Sequence, residues 1–267
     1  MNLFTSSILT NWHPHPEVLI SLTFIELFYL FLVYYIPKNN KDITHNSYDT
    51  TIFTAGILIL LIALISPIHE ISDGFLFSAH MVQHLLLTLI APPLLVMSTP
   101  DWMISPIFKI TPIKNFLKLI TKPIIALSIF TLMFSIWHLP NLYHTSVTNH
   151  YIHISEHLMF MSTAIIMWIP IFSRINELPK LSYLLQLPYI FILSIGQILV
   201  FAPITFSSEP IYQWYINAPR IWNITPLTDQ QLGGIIMKVG SGAIFLTLMI
   251  IAFFNWYKEE NQVLQLK

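Results

Sequence analysis

Cysteine is absent from the 267-residue chain, which excludes a disulfide framework, a thiolate metal site and a cysteine nucleophile. Charge is scarce as well, since charged residues make up 9% of the chain, against about 25% in an average soluble domain. The 12 basic and 13 acidic residues leave a net charge of -1, so there is no basic excess for binding nucleic acid. Hydrophobic residues make up 55%, and a soluble surface needs more charge than remains. The composition therefore indicates a polytopic membrane protein.

Seven apolar stretches are each long enough to cross a bilayer as a helix, which takes about 20 residues. They cover residues 17–36, 50–68, 75–97, 123–139, 152–172, 184–204 and 232–256. They are apolar on all sides and exceed the ~10-residue alternating segments of a membrane β-barrel, which favours helices. No Lys or Arg precedes Lys38, so the first stretch lacks the basic leader of a signal peptide. We therefore expect an all-α protein with one seven-helix transmembrane domain over residues 1–267.

Basic residues are distributed unevenly between the two sides of this predicted membrane. Ten of the 12 fall on one side: Lys38, Lys41, Lys109, Lys114, Lys118, Lys122, Arg174, Lys180, Lys258 and Lys267. The other side has only Arg220, while Lys238 lies inside the seventh stretch. Because cytoplasmic loops carry an excess of Lys and Arg, we predict that the N-terminus is outside and the C-terminus is cytoplasmic.

Histidine is concentrated on the opposite, outer side, where ten of the 11 histidines are predicted to lie. His80 and His84 form an i, i+4 pair in the third stretch, and His153 and His157 form another in the fifth. Four residues along a helix return a side chain to nearly the same face, about 6 Å further on, so each pair can bind one metal ion. His138 ends the fourth stretch at the same membrane level. Since polar groups in a bilayer usually face the bundle interior for a function, we predict that these five histidines form one metal site.

Several neighbouring residues are candidates for a secondary role. Gln83 and Glu156 stand at i+3 in the two pairs, on the same face as the histidines. Met81 offers a thioether, which together with imidazole favours copper, especially Cu(I), although it points about 100° away from His80. Asp229 opens the seventh stretch, either as a helix N-cap or as an acceptor that holds a ligand histidine. Binding should weaken at acid pH, because neutral imidazole is the binding form.

Two charged residues lie deep within predicted spans. Glu26 is about nine residues into the first stretch and Lys238 about seven into the seventh, so both are ~10–14 Å from the outer surface at ~1.5 Å per residue. A lone charge at that depth costs several kcal/mol. Their matched depth predicts an ion pair.

Five ordered motifs are similar to those of a known family. They are Ser78–Leu87 with Ala91–Leu95, Trp137–Tyr143, His153–His157, Trp168–Pro170 and Asp229–Gly234. Together they resemble the CtaG-type cytochrome c oxidase assembly factors of bacterial membranes, over residues 66–240. The resemblance implies a multi-pass protein of the bacterial cell membrane that assembles a haem–copper oxidase, with copper delivery to an oxidase subunit as its role. It also carries over the five histidines as candidate ligands and Met81, Glu156 and Asp229 as motif residues.

Two other interpretations remain open from the sequence. His153 to His157 matches the His-x-x-Glu-His pattern of inverzincin proteases, in which both histidines bind zinc and the glutamate is a general base. A b-type haem held by one histidine from each helix is the second alternative. The favoured interpretation is a non-enzymatic assembly factor with copper as its ion and zinc or haem as alternatives. Its expected partners are an oxidase subunit and the bilayer, and a homodimer is left open.

Overall fold

A computed structural model describes residues 12, 15–39 and 46–265, and all the regular secondary structure within them is helical. The prediction of an all-α chain is therefore confirmed for these residues. The helices are α1 (Pro16–Asn39), α2 (Ser47–Ile65), α3 (Pro67–Gly74), α4 (Phe77–Met97), α5 (Asp101–Ile104), α6 (Thr111–Ile120), α7 (Pro123–Trp137), α8 (Pro140–Thr148), α9 (His150–Phe172), α10 (Tyr183–Phe206), α11 (Gln213–Asn217) and α12 (Pro226–Gln265). His13, Lys41, His45 and Lys267, which contributed to the predicted sidedness, lie outside the described residues.

Six helices (α1, α2, α4, α9, α10 and α12) are each long and apolar enough to cross a membrane. The predicted span at 123–139 differs, because α7 has 15 residues and its ~22 Å length is less than the ~30 Å hydrocarbon thickness. It passes as a span only together with α6, and the two helices are bent by 72°. Lys114 and Lys118 of α6 both pair with Glu177, at 2.8 and 2.6 Å. The described residues thus contain six candidate spans, or seven if the bent pair counts as one.

The end of the bundle where α4 and α9 begin carries the histidines, and we call it the histidine end. The opposite end, where α9 finishes, carries Arg174, which donates to Asp49 at 2.6 Å. Buried aromatic side chains fill the centre between them; the largest include Phe130, Phe134, Phe160, Trp168 and Phe201. Large apolar side chains such as Phe24 and Leu199 are exposed along the spans, as a surface facing lipid requires.

An additional short helix interrupts the predicted course of the chain after α2. Ser66 ends α2 and caps α3, where its hydroxyl accepts the N–H of Ile68 at 3.2 Å and Pro67 occupies the first turn. Proline is favoured at a helix start because it lacks the N–H that would be unpaired there. The second span therefore ends at Ile65 rather than at residue 68. As a result α3, which packs on α4, brings polar residues to the histidine end.

Asp229 does not cap its own helix, because α12 begins three residues earlier, at Pro226. Its buried carboxylate instead accepts the backbone N–H groups of Phe77 and Ser78, at 2.7 and 3.0 Å. These N–H groups start α4 and have no acceptor within that helix, and a negative charge suits the positive end of the helix dipole. Both oxygens are used in this way, so the predicted role as an acceptor for a ligand histidine is not met either.

Helix α4 contains one π-helical turn, Leu86–Ile90, directly beyond His84. Pro92 has no N–H, so the carbonyl of Thr88 loses the donor that a regular helix would provide. The indole Nε1 of Trp168 donates to this carbonyl at 2.8 Å, and the Thr88 hydroxyl donates to the carbonyl of His84 at 2.6 Å. The turn therefore joins α4 to α9 just beneath the histidine pair.

The predicted ion pair between Glu26 and Lys238 is not formed. The carboxylate of Glu26 accepts the hydroxyl of Thr54 on α2 at 2.6 Å. The ammonium of Lys238 donates to the carbonyl of Ser194 on α10 at 3.4 Å. Helix α1 packs on α2, whereas α12 packs on α4 and α10, so the two side chains face different neighbours.

Candidate metal centre

The two histidine pairs meet across α4 and α9. The rings within each pair are 4.2 Å apart between centroids. Between the pairs, His80 lies 6.0 Å from His153, and His84 lies 6.2 Å from His157. The two helices thus run side by side in the same direction and place all four rings in one pocket.

His138 joins this pocket from the end of α7, with its ring 5.5 Å from that of His84. Its Nδ1 donates to the carbonyl of Phe134 at 2.7 Å, because a carbonyl can only accept. In the neutral ring the lone pair is then on Nε2, which is buried and has no hydrogen-bond partner. A histidine whose other nitrogen is held by a carbonyl is in the form that binds metals.

Glu156 lies between the two pairs and is fully buried. One carboxylate oxygen is 3.8 Å from Nε2 of His84, and the other is 3.6 Å from Nδ1 of His153. His80, His84 and Glu156 offer ligand atoms that all lie within 4.8 Å of one another. One tetrahedral ion with bonds of about 2.0–2.2 Å needs ligand atoms ~3.3–3.6 Å apart, so a small inward movement of these side chains would let one ion bind all three.

The pocket concentrates buried polar atoms that lack a hydrogen bond. Thirteen such side-chain atoms occur among the described residues, and ten belong to His80, His84, His138, His153, Glu156 and His157. Folded proteins leave few buried polar groups unpaired, because each one costs about 1–3 kcal/mol. Ten in one place indicate that a ligand completes the pocket. Imidazole nitrogens and a carboxylate are donors that transition ions accept, so the residues fit a metal ion.

Sequence reasoning missed two residues of the site, His69 and Asp73, which lie on α3. One oxygen of Asp73 is 3.5 Å from Nε2 of His69 and 3.4 Å from Nε2 of His153. The three side chains form a second group whose ligand atoms lie within 4.8 Å of one another. The i, i+4 spacing of His69 and Asp73 was a usable signal, but both fall at the polar junction between two predicted spans.

Gln83, predicted as a secondary ligand, instead positions His69. Its amide nitrogen donates to the carbonyl of Ala63 at 2.9 Å and to Nδ1 of His69 at 3.0 Å, while its oxygen accepts from Ser72 at 3.0 Å. Since an NH₂ group only donates, Nδ1 of His69 must accept. The proton of the neutral ring is then on Nε2, facing Asp73. His69 thus holds Asp73 in place.

Asp73 in turn orients His153. Partial burial opposes ionisation of Asp73, but the adjacent imidazoles of His153 and His69 hold the pKa of its carboxyl well below its usual range. Nε2 of His153 makes no regular hydrogen bond, but a carboxylate 3.4 Å from that nitrogen favours the ring proton there and leaves the other nitrogen as the ligand. For His153 that other nitrogen is Nδ1, which faces Glu156. Asp73 therefore has the role that the sequence suggested for Asp229.

Met81 is fully buried in the apolar core and packs beside Gly233 of α12, where a Cβ would lie 3.1 Å from Met81 Cγ. One residue along a helix turns a side chain by about 100°, which separates Met81 from His80. The thioether thus belongs to the core, and the donors of the pocket are nitrogen and oxygen atoms.

The pocket has aromatic rings on its inner side and Asp73 on its outer side, which we call its mouth. The ring of Phe134 lies 4.3 Å from His138 and that of Phe160 lies 4.6 Å from His84. On the side of the pocket away from these rings, the Asp73 side chain is 37% exposed to solvent. The pocket therefore opens at the histidine end.

Comparison with known proteins connects this pocket to a family. The family model of the cytochrome c oxidase caa3 assembly factor (Caa3_CtaG) matches residues 27–259, which include every residue of the pocket. The chain belongs to the Caa3_CtaG family. Neither the curated proteins nor the solved structures gave a match. Membership in the Caa3_CtaG family confirms the resemblance seen in the sequence motifs.

Proposed function

We propose that this Caa3_CtaG protein binds a copper ion in the histidine pocket and passes it to a subunit of a haem–copper oxidase during assembly. The observation that carries the proposal is the cluster of ten unpaired nitrogen and oxygen atoms in a buried pocket. It occurs in a chain of an oxidase assembly family. An ion supplied to the oxidase must be held and then released, and a pocket that opens at one end allows both.

The donor set favours Cu(II) over Cu(I). Imidazole suits Cu, Zn, Fe and Ni, and copper binds most tightly among the divalent ions of this series at such sites. Thioether sulfur, which selects Cu(I), is missing because Met81 lies in the core. The Cu(I) preference suggested by the sequence is therefore replaced by Cu(II) in this proposal.

The location that we propose is a bacterial cell membrane, with the histidine end outside the cytoplasm. Arg174 follows the last turn of α9, whereas His153 lies in its first turn. The 23 residues of α9 separate these ends by about 34 Å. The end rich in basic residues is expected on the cytoplasmic side, which supports this orientation.

The alternative functions fit the pocket less well. A haem would need an open slot beside His84, but Phe160 and His138 fill that space at 4.6 and 5.5 Å. A hydrolytic enzyme would need Glu156 as a free general base, whereas both its oxygens lie among the nitrogens of His84 and His153. These contacts support Glu156 as a metal ligand in the proposal rather than as a general base.

Metal analysis of the purified protein tests the proposal. After incubation with equimolar Cu(II) and Zn(II) and removal of free ions, the parent should retain about one copper ion per chain. A variant with His80, His84, His153 and His157 changed to Ala should retain none. His144→Ala, which alters an exposed histidine outside the pocket, should behave as the parent does. The same set of variants is compared for oxidase activity in cells that depend on this protein.

Each outcome is decisive. A parent that retains no copper and still supports oxidase assembly would refute the proposal. Zinc bound in preference to copper would favour the metalloenzyme, and peptide hydrolysis lost in Glu156→Gln would establish it. Because four substitutions can prevent folding, the single variant His84→Gln is measured too, and it should lower copper affinity about 10-fold or more.

A further inference from the structure

Another group of metal-binding side chains lies at the histidine end, outside the pocket. It consists of His15, just before α1, Glu17 in the first turn of α1, and His150, the first residue of α9. Nδ1 of His15 lies 3.2 Å from one oxygen of Glu17, and Nε2 of His150 lies 3.7 Å from the same oxygen. We call these three residues the surface triad.

The spacing within the surface triad suits a transition ion bound by Glu17 and one histidine at a time. Bonds of about 2.0–2.2 Å in a tetrahedral site place neighbouring ligand atoms ~3.3–3.6 Å apart, and the distances from Glu17 to His15 and to His150 lie close to this range. The rings of the two histidines are 6.1 Å apart between centroids, so each can share an ion with Glu17 in turn. The side chains of His15, Glu17 and His150 are 29%, 45% and 57% exposed. An ion held there would keep water ligands and exchange readily, unlike one held in the pocket.

A continuous row of rings connects the surface triad to the pocket. The ring of His15 lies 4.9 Å from that of His69, and His69 lies 6.0 Å from His153. His153 is in turn 6.0 Å from His80. The negative carboxylate of Asp73 lies beside His69 and His153, at the mouth of the pocket. Each step inward decreases solvent exposure and increases the number of protein ligands within reach.

We propose that the surface triad captures a divalent transition ion, and that the row past His69 and Asp73 is the access route by which the ion reaches the pocket. The ion moves by exchange of ligands, without a change of oxidation state. At the triad it has two protein ligands and water, whereas the pocket offers five imidazoles and Glu156, so equilibrium favours the inner position. This inference rests on the proposed function, because it requires the pocket to bind metal.

The rate of copper uptake tests the surface triad separately from the pocket. Purified protein is mixed with Cu(II) in a stopped-flow instrument, and quenching of tryptophan fluorescence is followed. The variant with His15→Gln, Glu17→Gln and His150→Gln should take up copper at least about 10-fold more slowly, the lower end of what a local rise in ion concentration adds to on-rates. Its final copper content should equal that of the parent.

The exposed His144 provides the matched control, since it lies at the same end but outside the row. His144→Gln should leave the uptake rate unchanged, and Glu17→Gln alone should give an intermediate rate. A triple variant that takes up copper as fast as the parent, with normal content, would overturn the access route and leave the pocket intact. Equal slowing by His144→Gln would overturn it too. A parent that binds no copper would overturn both proposals.

Discussion

The two hydrogen bonds by which Asp229 of α12 caps the start of α4 give the sharpest test of what stabilises the pocket. Asp229 is fully buried, and its two oxygens accept the first N–H groups of α4. The turn that they stabilise leads directly to His80. We therefore expect Asp229→Ala to destabilise the fold and to loosen the histidine pair.

The expected magnitude follows from the two hydrogen bonds. A hydrogen bond to a charged group contributes about 1.5–3 kcal/mol, so losing both lowers the free energy of unfolding by about 3–6 kcal/mol. Asp229→Asn keeps one acceptor oxygen, so its free energy of unfolding should fall by about half as much as that of Asp229→Ala. Because the first turn of α4 then frays, copper affinity should fall as well.

Denaturant titration in detergent micelles measures the effect. Asp101→Ala is the matched control, since Asp101 accepts a single backbone N–H, from Asn176 at 2.7 Å, in an exposed position. Asp101→Ala should lower the free energy of unfolding by about 1 kcal/mol, as for the loss of an ordinary helix cap. If Asp229→Ala costs no more than Asp101→Ala, the capping argument is wrong.

The packing and the pocket give three further expectations. Gly233→Ala should lower the free energy of unfolding by about 1–3 kcal/mol, because its methyl would lie 2.5 Å from an aromatic ring carbon. Gly242→Ala, which has open space, should raise it by up to ~1 kcal/mol, and denaturant titration distinguishes the two. Asp73→Asn should weaken copper binding about 10–100-fold in competition with a chelator; unchanged affinity would show that it does not act on a ligand. Glu26→Gln and Lys238→Met should change stability additively within ~0.5 kcal/mol in a double-mutant cycle, and a larger coupling would mean that they interact.

The helical architecture was largely predictable because bilayer thickness dictates how long an apolar run must be. The fourth span was the exception. Its apolar run begins at Pro123, and the sequence does not show that the preceding Thr111–Ile120 turns away by 72°. Pro123 starts a new helix at the bend because it has no N–H to continue the preceding one, and the pairing of Lys114 and Lys118 with Glu177, more than fifty residues further along the chain, fixes where the first helix lies.

The site was predictable where it depends on the helix repeat and unpredictable where it depends on tertiary contacts. The spacing of His80 and His84 suffices to place both rings on one face. The partner of Asp229 could not be foreseen, because it lies 152 residues away along the chain. Depth alone also misled for Glu26, since depth along a helix leaves the direction of a side chain undetermined.

The aromatic rings on the inner side of the pocket limit how the protein can work. Phe134, Phe160 and Trp168 are packed beneath the histidines with at most 1% of their surfaces exposed. These rings block passage beyond the histidines, so an ion bound in the pocket would leave on the side from which it entered. Under the proposed function, copper would therefore be taken up and released on the same side of the membrane, and the protein would not be a channel. Vesicles containing only this protein should show no copper flux, and under the proposed function an oxidase subunit would receive copper at that same face.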